Sequence, residues 1–191
     1  MKPKLIFVEG SQGSGKSTIC RELREKLKYT TLLDLSAIGD KSKEAEEKMF
    51  QYHRHILEMF ENTKYLGMNY VCCRSFLSER IYCNLGYKPY DFEKYRLILT
   101  KEIDYLNRFY DIYFILLTTN ANDLEIRLKR DKFAYQAFSV ENSLAQQEEY
   151  RKEFKCLAET LDETYILEIE NDNIERVVNT IKEIILEGFV K

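Results

Sequence analysis

The feature that most constrains the fold is a glycine-rich run near the start of the chain. Residues 10–18 read GSQGSGKST and match the pattern G-x-x-x-x-G-K-[ST] at every fixed position. Four apolar residues, 5–8, precede this run as in a buried strand, and apolar residues recur at helical spacing through 18–28. A strand, a tight glycine turn and the start of a helix are therefore predicted in succession.

This arrangement predicts a binding site for the phosphates of a nucleoside triphosphate. Backbone amides of the turn and of the helix N-terminus would point at phosphate oxygens, and glycine allows a close approach. Lys16 could reach the β- and γ-phosphates, and the Ser17 hydroxyl could bind magnesium, so we expect ATP and Mg²⁺ as cofactors. The predicted loop consists of Gly10, Ser11, Gln12, Gly13, Ser14, Gly15, Lys16, Ser17 and Thr18.

Strand-like and helical stretches alternate along the rest of the chain. Strands are predicted at 4–9, 30–35, 69–73, 111–118 and 164–169. Helices are predicted at about 15–28, 43–65, 75–86, 91–108, 121–131, 141–162 and 173–187. This alternation predicts an α/β fold, a doubly wound parallel five-stranded sheet flanked by helices. With no repeat or linker in the sequence, we expect a single domain over residues 1–191.

Composition excludes several classes of function. The 29 Lys and Arg residues nearly balance 32 Asp and Glu, which leaves no general positive field for nucleic acid. No apolar run approaches the ~20 residues of a membrane span, and no signal peptide is recognised, so we expect a cytoplasmic protein. The five cysteines lack metal-binding spacing, and adjacent Cys72 and Cys73 should face opposite sides of a strand.

Three features beyond the loop could carry chemistry. Glu9, at the end of the first strand, could accept a proton from a substrate hydroxyl, or it could be a structural carboxylate. Arg74 follows the third strand and could bind an acceptor phosphate or stabilise a phosphoryl group in transfer. Arg127 and Arg130 lie in a basic segment that could fold over the phosphates, although a solvated helix end has the same composition.

Together these motifs resemble the P-loop nucleoside and nucleotide kinases, the group that contains thymidylate kinases and deoxyribonucleoside kinases. Residues 7–18 are similar to the shared opening of that group. Residues 74–80 are similar to the R-S-x-x-S-D-R pattern of deoxyribonucleoside kinases. The same span also fits the D-R-Y-x-x-S-x-x-A-Y pattern of thymidylate kinases through Arg74, Ser78 and Tyr82. The segment 52–55 is similar to a substrate-binding segment of thymidylate kinases.

The resemblance implies roles for individual residues. It implies contacts to the acceptor from Glu9, Arg54, Arg74 and Tyr82. It also implies a LID-like segment at about 127–143 that brings Arg127 and Arg130 to the transferring phosphoryl group. A small deoxynucleotide or deoxynucleoside is then the expected partner, with no nucleic acid or membrane partner, and a homodimer is possible.

The sequence departs from these families at three places. Cys73 stands where both have an acid before the arginine, Gln12 stands where thymidylate kinases usually have an acid, and an F-x-R-E-P segment is missing after the second strand. The first expectation is the phosphorylation of a deoxynucleoside monophosphate by ATP, with dTMP as the first candidate. The alternatives are a deoxyribonucleoside kinase with Glu9 as base, and a non-catalytic nucleotide-binding module.

Overall fold

The computed structural model describes residues 2–35, 40, 42, 44–130 and 139–187. The strands are β1 (Lys4–Gly10), β2 (Thr30–Asp34), β3 (Asn69–Cys73), β4 (Asp111–Thr118) and β5 (Tyr165–Glu170). The helices are α1 (Lys16–Lys26), α2 (Ala45–Thr63), α3 (Phe76–Asn84), α4 (Glu93–Leu106), α5 (Ala121–Arg130), α6 (Val140–Thr160) and α7 (Ile174–Glu187).

The five strands form one parallel sheet in the order β2-β3-β1-β4-β5. Strand β1 lies in the centre, where Val8 is the register partner of Cys73 in β3 and of Ile115 in β4. Because all strands run in the same direction, their carboxyl ends meet at one edge of the sheet, and the glycine-rich loop begins there.

Helices cover both faces of the sheet, as the near-continuous apolar character of β1 and β4 requires. On one face, Leu5 and Phe7 pack in an aromatic-rich core, and the ring of Phe7 stacks on that of Phe114 with centroids 4.7 Å apart. On the other face, Ile6 and Val8 pack in an aliphatic core with residues of α1 and α7. The predicted doubly wound α/β fold is confirmed.

The helix predicted at 75–86 has different ends in the structure, where α3 spans Phe76–Asn84. The predicted helix 75–86 is shorter, because Ser75 is its N-cap and accepts a hydrogen bond from the Leu77 amide. At the other end Gly86 has a φ of 72°, which lies outside the helical region. Cys72 and Cys73 do face opposite sides of β3, one in each core.

Two expectations fall partly outside the described residues. Of the LID-like segment at about 127–143, residues 131–138 are outside them, so the segment stays a prediction. The single domain over 1–191 and the possible homodimer also stay predictions. Among the helices that the structure describes, none is both long and apolar enough to cross a membrane.

Candidate active site

The glycine-rich loop turns through backbone conformations that side chains disfavour. Gly10 has a φ of 145°, and a Cβ there would lie 2.5 Å from the carbonyl oxygen of Leu117. Gly15, with a φ of 89°, precedes the first residue of α1, and a Cβ there would lie 2.4 Å from Nδ2 of Asn171. Glycine at both positions lets the loop pack directly against β4 and the segment after β5.

Lys16 lies inside this loop. Its Nζ donates hydrogen bonds to the carbonyl oxygens of Gly10 at 2.8 Å and Ser11 at 2.6 Å, and the side chain is buried. Burial lowers the pKa of Lys16 to about 7, and the nearby charge of Arg74 acts in the same direction. An ammonium group with so little hydration gains strongly from an approaching phosphate, because the phosphate supplies the missing counter-charge.

Glu9 is fully buried at the end of β1. Its carboxylate accepts hydrogen bonds from the hydroxyls of Ser75 at 2.5 Å and Ser78 at 2.9 Å. The Tyr150 hydroxyl lies 2.7 Å from Oγ of Ser78. Since the single hydroxyl proton of Ser78 goes to Glu9, Tyr150 must be the donor of that second bond.

The ionisation of Glu9 reflects a balance between burial and hydrogen bonding. Burial raises its pKa to about 7, although the Ser75 and Ser78 hydroxyls and the charges of Lys16 and Arg74 act in the opposite direction. A carboxyl with a pKa near neutrality can both receive and release a proton at physiological pH. That is the property a general base needs.

Arg74 lies close enough to Glu9 for its charge to lower the pKa of that carboxyl, and it also lines a cavity. It has a φ of 76°, in the left-handed region, and its amide donates to the carbonyl of Val8 at 3.0 Å. Non-glycine residues in that region often mark functional sites. The cavity, about 530 Å³ in volume, is called the phosphate-loop cavity below. Its lining residues are Gln12, Gly13, Gly15, Lys16, Ser17, Thr18, Arg74, Arg127, Arg130, Asn171, Asp172, Asn173, Ile174 and Glu175.

Arg127 is held against the loop by a residue that sequence reasoning missed. Its guanidinium donates to the carbonyl of Asn171 at 2.5 Å and to that of Ser14 at 3.4 Å. The buried side-chain amide of Asn171 donates to the same Ser14 carbonyl at 2.7 Å. Its backbone N–H donates to the Thr118 carbonyl at 2.8 Å. Asn171 thus joins the phosphate loop, β4 and Arg127, whereas the sequence offers only an asparagine near a strand end.

Two glutamines of α6 bind backbone groups at this edge of the sheet, Gln146 in the phosphate loop and Gln147 just after β4. Gln146 accepts a hydrogen bond from the Gln12 amide at 3.1 Å. Gln147 bonds both backbone groups of Thr119, accepting from the amide at 2.6 Å and donating to the carbonyl at 3.0 Å. Both glutamines are buried in α6, and only the inward face of that helix could have signalled their role.

Ser17 is placed as a magnesium ligand would be. Magnesium commonly binds one or two protein oxygens and takes its other ligands from phosphates and water. The exposed Ser17, at the start of α1 and on the wall of the phosphate-loop cavity, fits that role. Within the described ranges no group of three or more His, Cys, Asp or Glu side chains could hold a metal by itself.

The thiol of Cys73 lies next to the Ser17 hydroxyl. Sγ of Cys73 lies 3.8 Å from Oγ of Ser17, and Cys73 is buried beside Cys20 in the aliphatic core. A hydrogen bond from Cys20 lowers the pKa of Cys73, and the charges of Lys16 and Arg74 add to the effect, against the influence of burial. Unlike Ser17, this sulfur does not suit magnesium, which prefers oxygen ligands.

The predicted acceptor-binding residues do not all lie together. Arg74 lines the phosphate-loop cavity, and the largely buried Tyr82 is hydrogen-bonded to it. Arg54 lies elsewhere, in a groove between α2 and α4, where its Nε is 3.2 Å from Glu58 and 3.9 Å from Glu102. The structure therefore brings Glu9, Arg74 and Tyr82 together and leaves Arg54 apart.

Two solved structures share this architecture across nearly the whole chain. The YorR protein of Bacillus subtilis, in complex with phosphorylated GDP, is 16% identical, with 95% of each chain covered and a TM-score of 0.65. A deoxyadenosine kinase from M. mycoides with bound dCTP is 18% identical, with 94% of this chain and 99% of that chain covered and a TM-score of 0.56. The fold is that of the P-loop nucleoside and nucleotide kinases.

The likeness to these solved structures concerns the fold, because the identities are low. The same deoxyadenosine kinase with the products dCMP and dCDP is 17% identical and also has a TM-score of 0.56. No protein-family model matches the sequence. No curated protein matches it either.

Proposed function

We propose that this protein transfers the γ-phosphoryl group of ATP to the 5′-hydroxyl of a deoxyribonucleoside. The observation that carries the proposal is the buried carboxylate of Glu9, whose pKa burial raises to about 7. A nucleoside hydroxyl must lose its proton when it is phosphorylated, so it needs a base. A monophosphate acceptor is already ionised at neutral pH and needs none.

The residues that line the phosphate-loop cavity support the donor side of this reaction. Lys16 and the loop amides would hold the β- and γ-phosphates of ATP, and Arg74, Arg127 and Arg130 would face the charge of the transferring group. When bound, Mg²⁺ at Ser17 would supply further neutralisation of the phosphates.

The proposed transfer is a single displacement at the γ-phosphorus. The 5′-oxygen of the nucleoside bonds to the γ-phosphorus while the bond from that phosphorus to the ADP oxygen breaks. The 5′-hydroxyl proton passes to Glu9, and the hydrogen bonds from Ser75 and Ser78 keep the carboxylate in one orientation for it.

The position of Arg54 supports a nucleoside acceptor over a monophosphate. The dTMP expectation needs cations for the acceptor phosphate, and the sequence offered Arg74 and Arg54 as candidates. Arg54 pairs instead with Glu58 in the groove between α2 and α4. Phosphorylation of a deoxynucleoside monophosphate remains the second candidate, because the Arg74 guanidinium lines the phosphate-loop cavity and could bind such a phosphate.

An assay of nucleosides and their 5′-monophosphates, side by side with ATP and Mg²⁺, tests the proposal. We expect turnover with at least one deoxyribonucleoside and none with its monophosphate. Glu9→Gln should lower that turnover by about 10²- to 10⁴-fold, as loss of a general base does. The matched control is Glu58→Gln, which removes an exposed carboxylate of α2 and should leave turnover unchanged.

Each opposite result has a definite meaning. Turnover of the monophosphate alone, largely retained in Glu9→Gln, would favour the second candidate. Binding of ATP without transfer to any acceptor would favour the nucleotide-binding module, and failure to bind ATP would refute all three functions.

A further inference from the structure

We propose that Tyr150 of α6 is a positioning residue for Glu9, and that it acts through the Ser78 hydroxyl to keep the carboxylate oriented and ionised for proton acceptance. This inference rests on the proposed role of Glu9 as the base of the reaction. It concerns how α6 prepares that base, and not which nucleoside is phosphorylated.

A chain of two hydrogen bonds connects Tyr150 with Glu9. The Tyr150 hydroxyl lies 2.7 Å from Oγ of Ser78, and that Oγ lies 2.9 Å from Oε2 of Glu9. An ionised carboxylate can only accept, so the Ser78 proton goes to Glu9 and Tyr150 donates to Ser78. Burial raises the pKa of Tyr150, and the charge of Glu9 acts in the same direction, so Tyr150 keeps the proton that it donates.

The helix of Tyr150 fixes the position of its hydroxyl. About one turn before it, Gln146 accepts a hydrogen bond from the Gln12 amide at 3.1 Å. About one turn after it, the ring of Phe154 packs edge-on against that of Phe114, with centroids 6.4 Å apart. Tyr150 is itself only 1% exposed, so its hydroxyl cannot turn to bulk water without moving α6.

The bond from Tyr150 decides what the Ser78 hydroxyl does. Ser78 lies in the first turn of α3. A serine hydroxyl in a helix can otherwise donate to a backbone carbonyl three or four residues earlier. Donation from Tyr150 favours the rotamer that directs the Ser78 proton at Glu9, and a hydroxyl that accepts a hydrogen bond is a stronger donor. Tyr150 therefore stabilises the ionised form of Glu9.

Other charged and titratable groups also act on Glu9. In the described part of the chain they are Lys16 of α1, Cys72 of β3, Arg74 after β3, Tyr82 of α3 and Tyr150 of α6. Burial lowers the pKa of Lys16 to about 7, so Lys16 titrates in the same range as Glu9. A test of the inference must therefore follow the Glu9 carboxyl itself.

Carbon-13 NMR of protein labelled at the glutamate carboxyl groups follows Glu9 directly, and Glu9→Gln identifies its signal. Tyr150→Phe keeps the buried ring and removes only the hydroxyl, so the pKa of Glu9 should rise. Ser78→Ala should raise it more, by about one pH unit, because a whole hydrogen bond to the carboxylate is lost. Adding Tyr150→Phe to Ser78→Ala should change nothing further, since Tyr150 acts through Ser78.

Tyr110→Phe is the matched control. Tyr110 is also 1% exposed, and its hydroxyl donates to the Phe60 carbonyl at 2.9 Å. It lies directly before β4, at the opposite edge of the sheet, so its loss should leave the pKa of Glu9 unchanged. Thermal melting of each variant establishes that it is folded.

The pH dependence of kcat/KM for a nucleoside acceptor is the second measurement. Turnover needs the ionised carboxylate, so the acidic limb of the profile should move to higher pH in Tyr150→Phe. At pH 7 kcat/KM should fall by about three- to tenfold, as for a lost positioning hydrogen bond. In the Ser78→Ala background the same substitution should change it by less than about twofold.

The two measurements separate the possible outcomes. An unchanged pKa of Glu9 in Tyr150→Phe overturns the inference, and so does an equal rise with and without Ser78. A lower kcat/KM with an unmoved acidic limb also overturns it, because Tyr150 would then only support packing. If the carboxyl titrates as expected but no nucleoside is phosphorylated, the proposed function fails and the link between Tyr150 and Glu9 stands.

Discussion

Two groups of charged side chains, one beside the phosphate loop and one in the groove between α2 and α4, differ in their exposure to water. Next to the phosphate loop, Glu9 and Lys16 are buried, and burial brings the pKa of each to about 7. In the groove between α2 and α4, Arg54 and Glu58 form an ion pair with Nε and Oε1 3.2 Å apart, and each side chain is 46% exposed. Exposed pairs of this kind contribute about 0–1 kcal/mol.

The two sites differ in their removal from water, which is the largest cause of the pKa shifts of Glu9 and Lys16. The groove residues come from the outer faces of two helices, where water screens them. Glu9 comes from the end of β1 and Lys16 from the first turn of α1, and both side chains are buried away from water. Glu9 and Lys16 are therefore unstable in their charged forms until a ligand compensates them.

The largest effect should come from the buried ammonium group. Lys16→Met keeps the aliphatic stem but removes the charge, so turnover should fall by about 10³-fold or more, as for other charges that face a transferring phosphoryl group. Steady-state kinetics and ATP titration measure this. Lys26→Met, at an exposed position of the same helix, is the control, and an equal loss there would contradict the distinction between the two environments.

The next effect concerns stability as a function of pH. The pKa of Glu9 is raised from 4.5 to about 7, so its protonated form stabilises the fold below pH 4.5 and this contribution is lost as the pH rises through 7. Glutamine does not titrate, so Glu9→Gln should become more stable relative to the natural protein as the pH rises from 4.5 to 8. The gain should be about 3 kcal/mol, because a pKa difference between the folded and unfolded states corresponds to about 1.4 kcal/mol for each pH unit.

Urea unfolding at pH 5 and pH 8 checks this difference. The control is Glu25→Gln, which makes the same chemical change at an exposed position of α1. A pH-independent difference for Glu9→Gln would mean that Glu9 is solvated as well as an exposed carboxylate is.

A smaller effect is expected at the support of the loop. Asn171→Ala removes the hydrogen bond to the Ser14 carbonyl and loosens the segment that holds Arg127. A hydrogen bond of this kind contributes about 1 kcal/mol, so the Kd for ATP should rise by about tenfold or less. Isothermal titration measures it, with exposed Asn179→Ala in α7 as the control. Unchanged affinity would show that the loop holds its shape without Asn171.

The smallest effect is expected in the groove. Arg54→Gln removes one partner of an exposed ion pair, so turnover should stay within about twofold and stability within about 0.5 kcal/mol. Arg74→Gln is the comparison, because that guanidinium lines the phosphate-loop cavity and its loss should be at least about a hundredfold. A large loss in Arg54→Gln would support a monophosphate acceptor.

Much of the architecture could be predicted because it depends on local patterns. The period of the apolar residues located the five strands and seven helices of the described part of the chain, and their alternation predicted the parallel sheet. The glycine-rich loop was recognisable since its glycines are needed for local backbone geometry, as Gly10 and Gly15 show. Arg74 was predictable as well, because a residue after a parallel strand must lie at the carboxyl edge.

The sequence by itself determined the order of the elements, the phosphate loop and the edge of the sheet at which chemistry can occur, since each follows from residues close together in the chain. Only the tertiary structure decided which distant residues meet there. Asn171 reaches Ser14 across 157 positions, and Tyr150 reaches Ser78 across 72, whereas Arg54 pairs with Glu58 in the groove between α2 and α4. Such pairings depend on how helices pack on the sheet, and so does the burial that brings the pKa of Glu9 near neutrality.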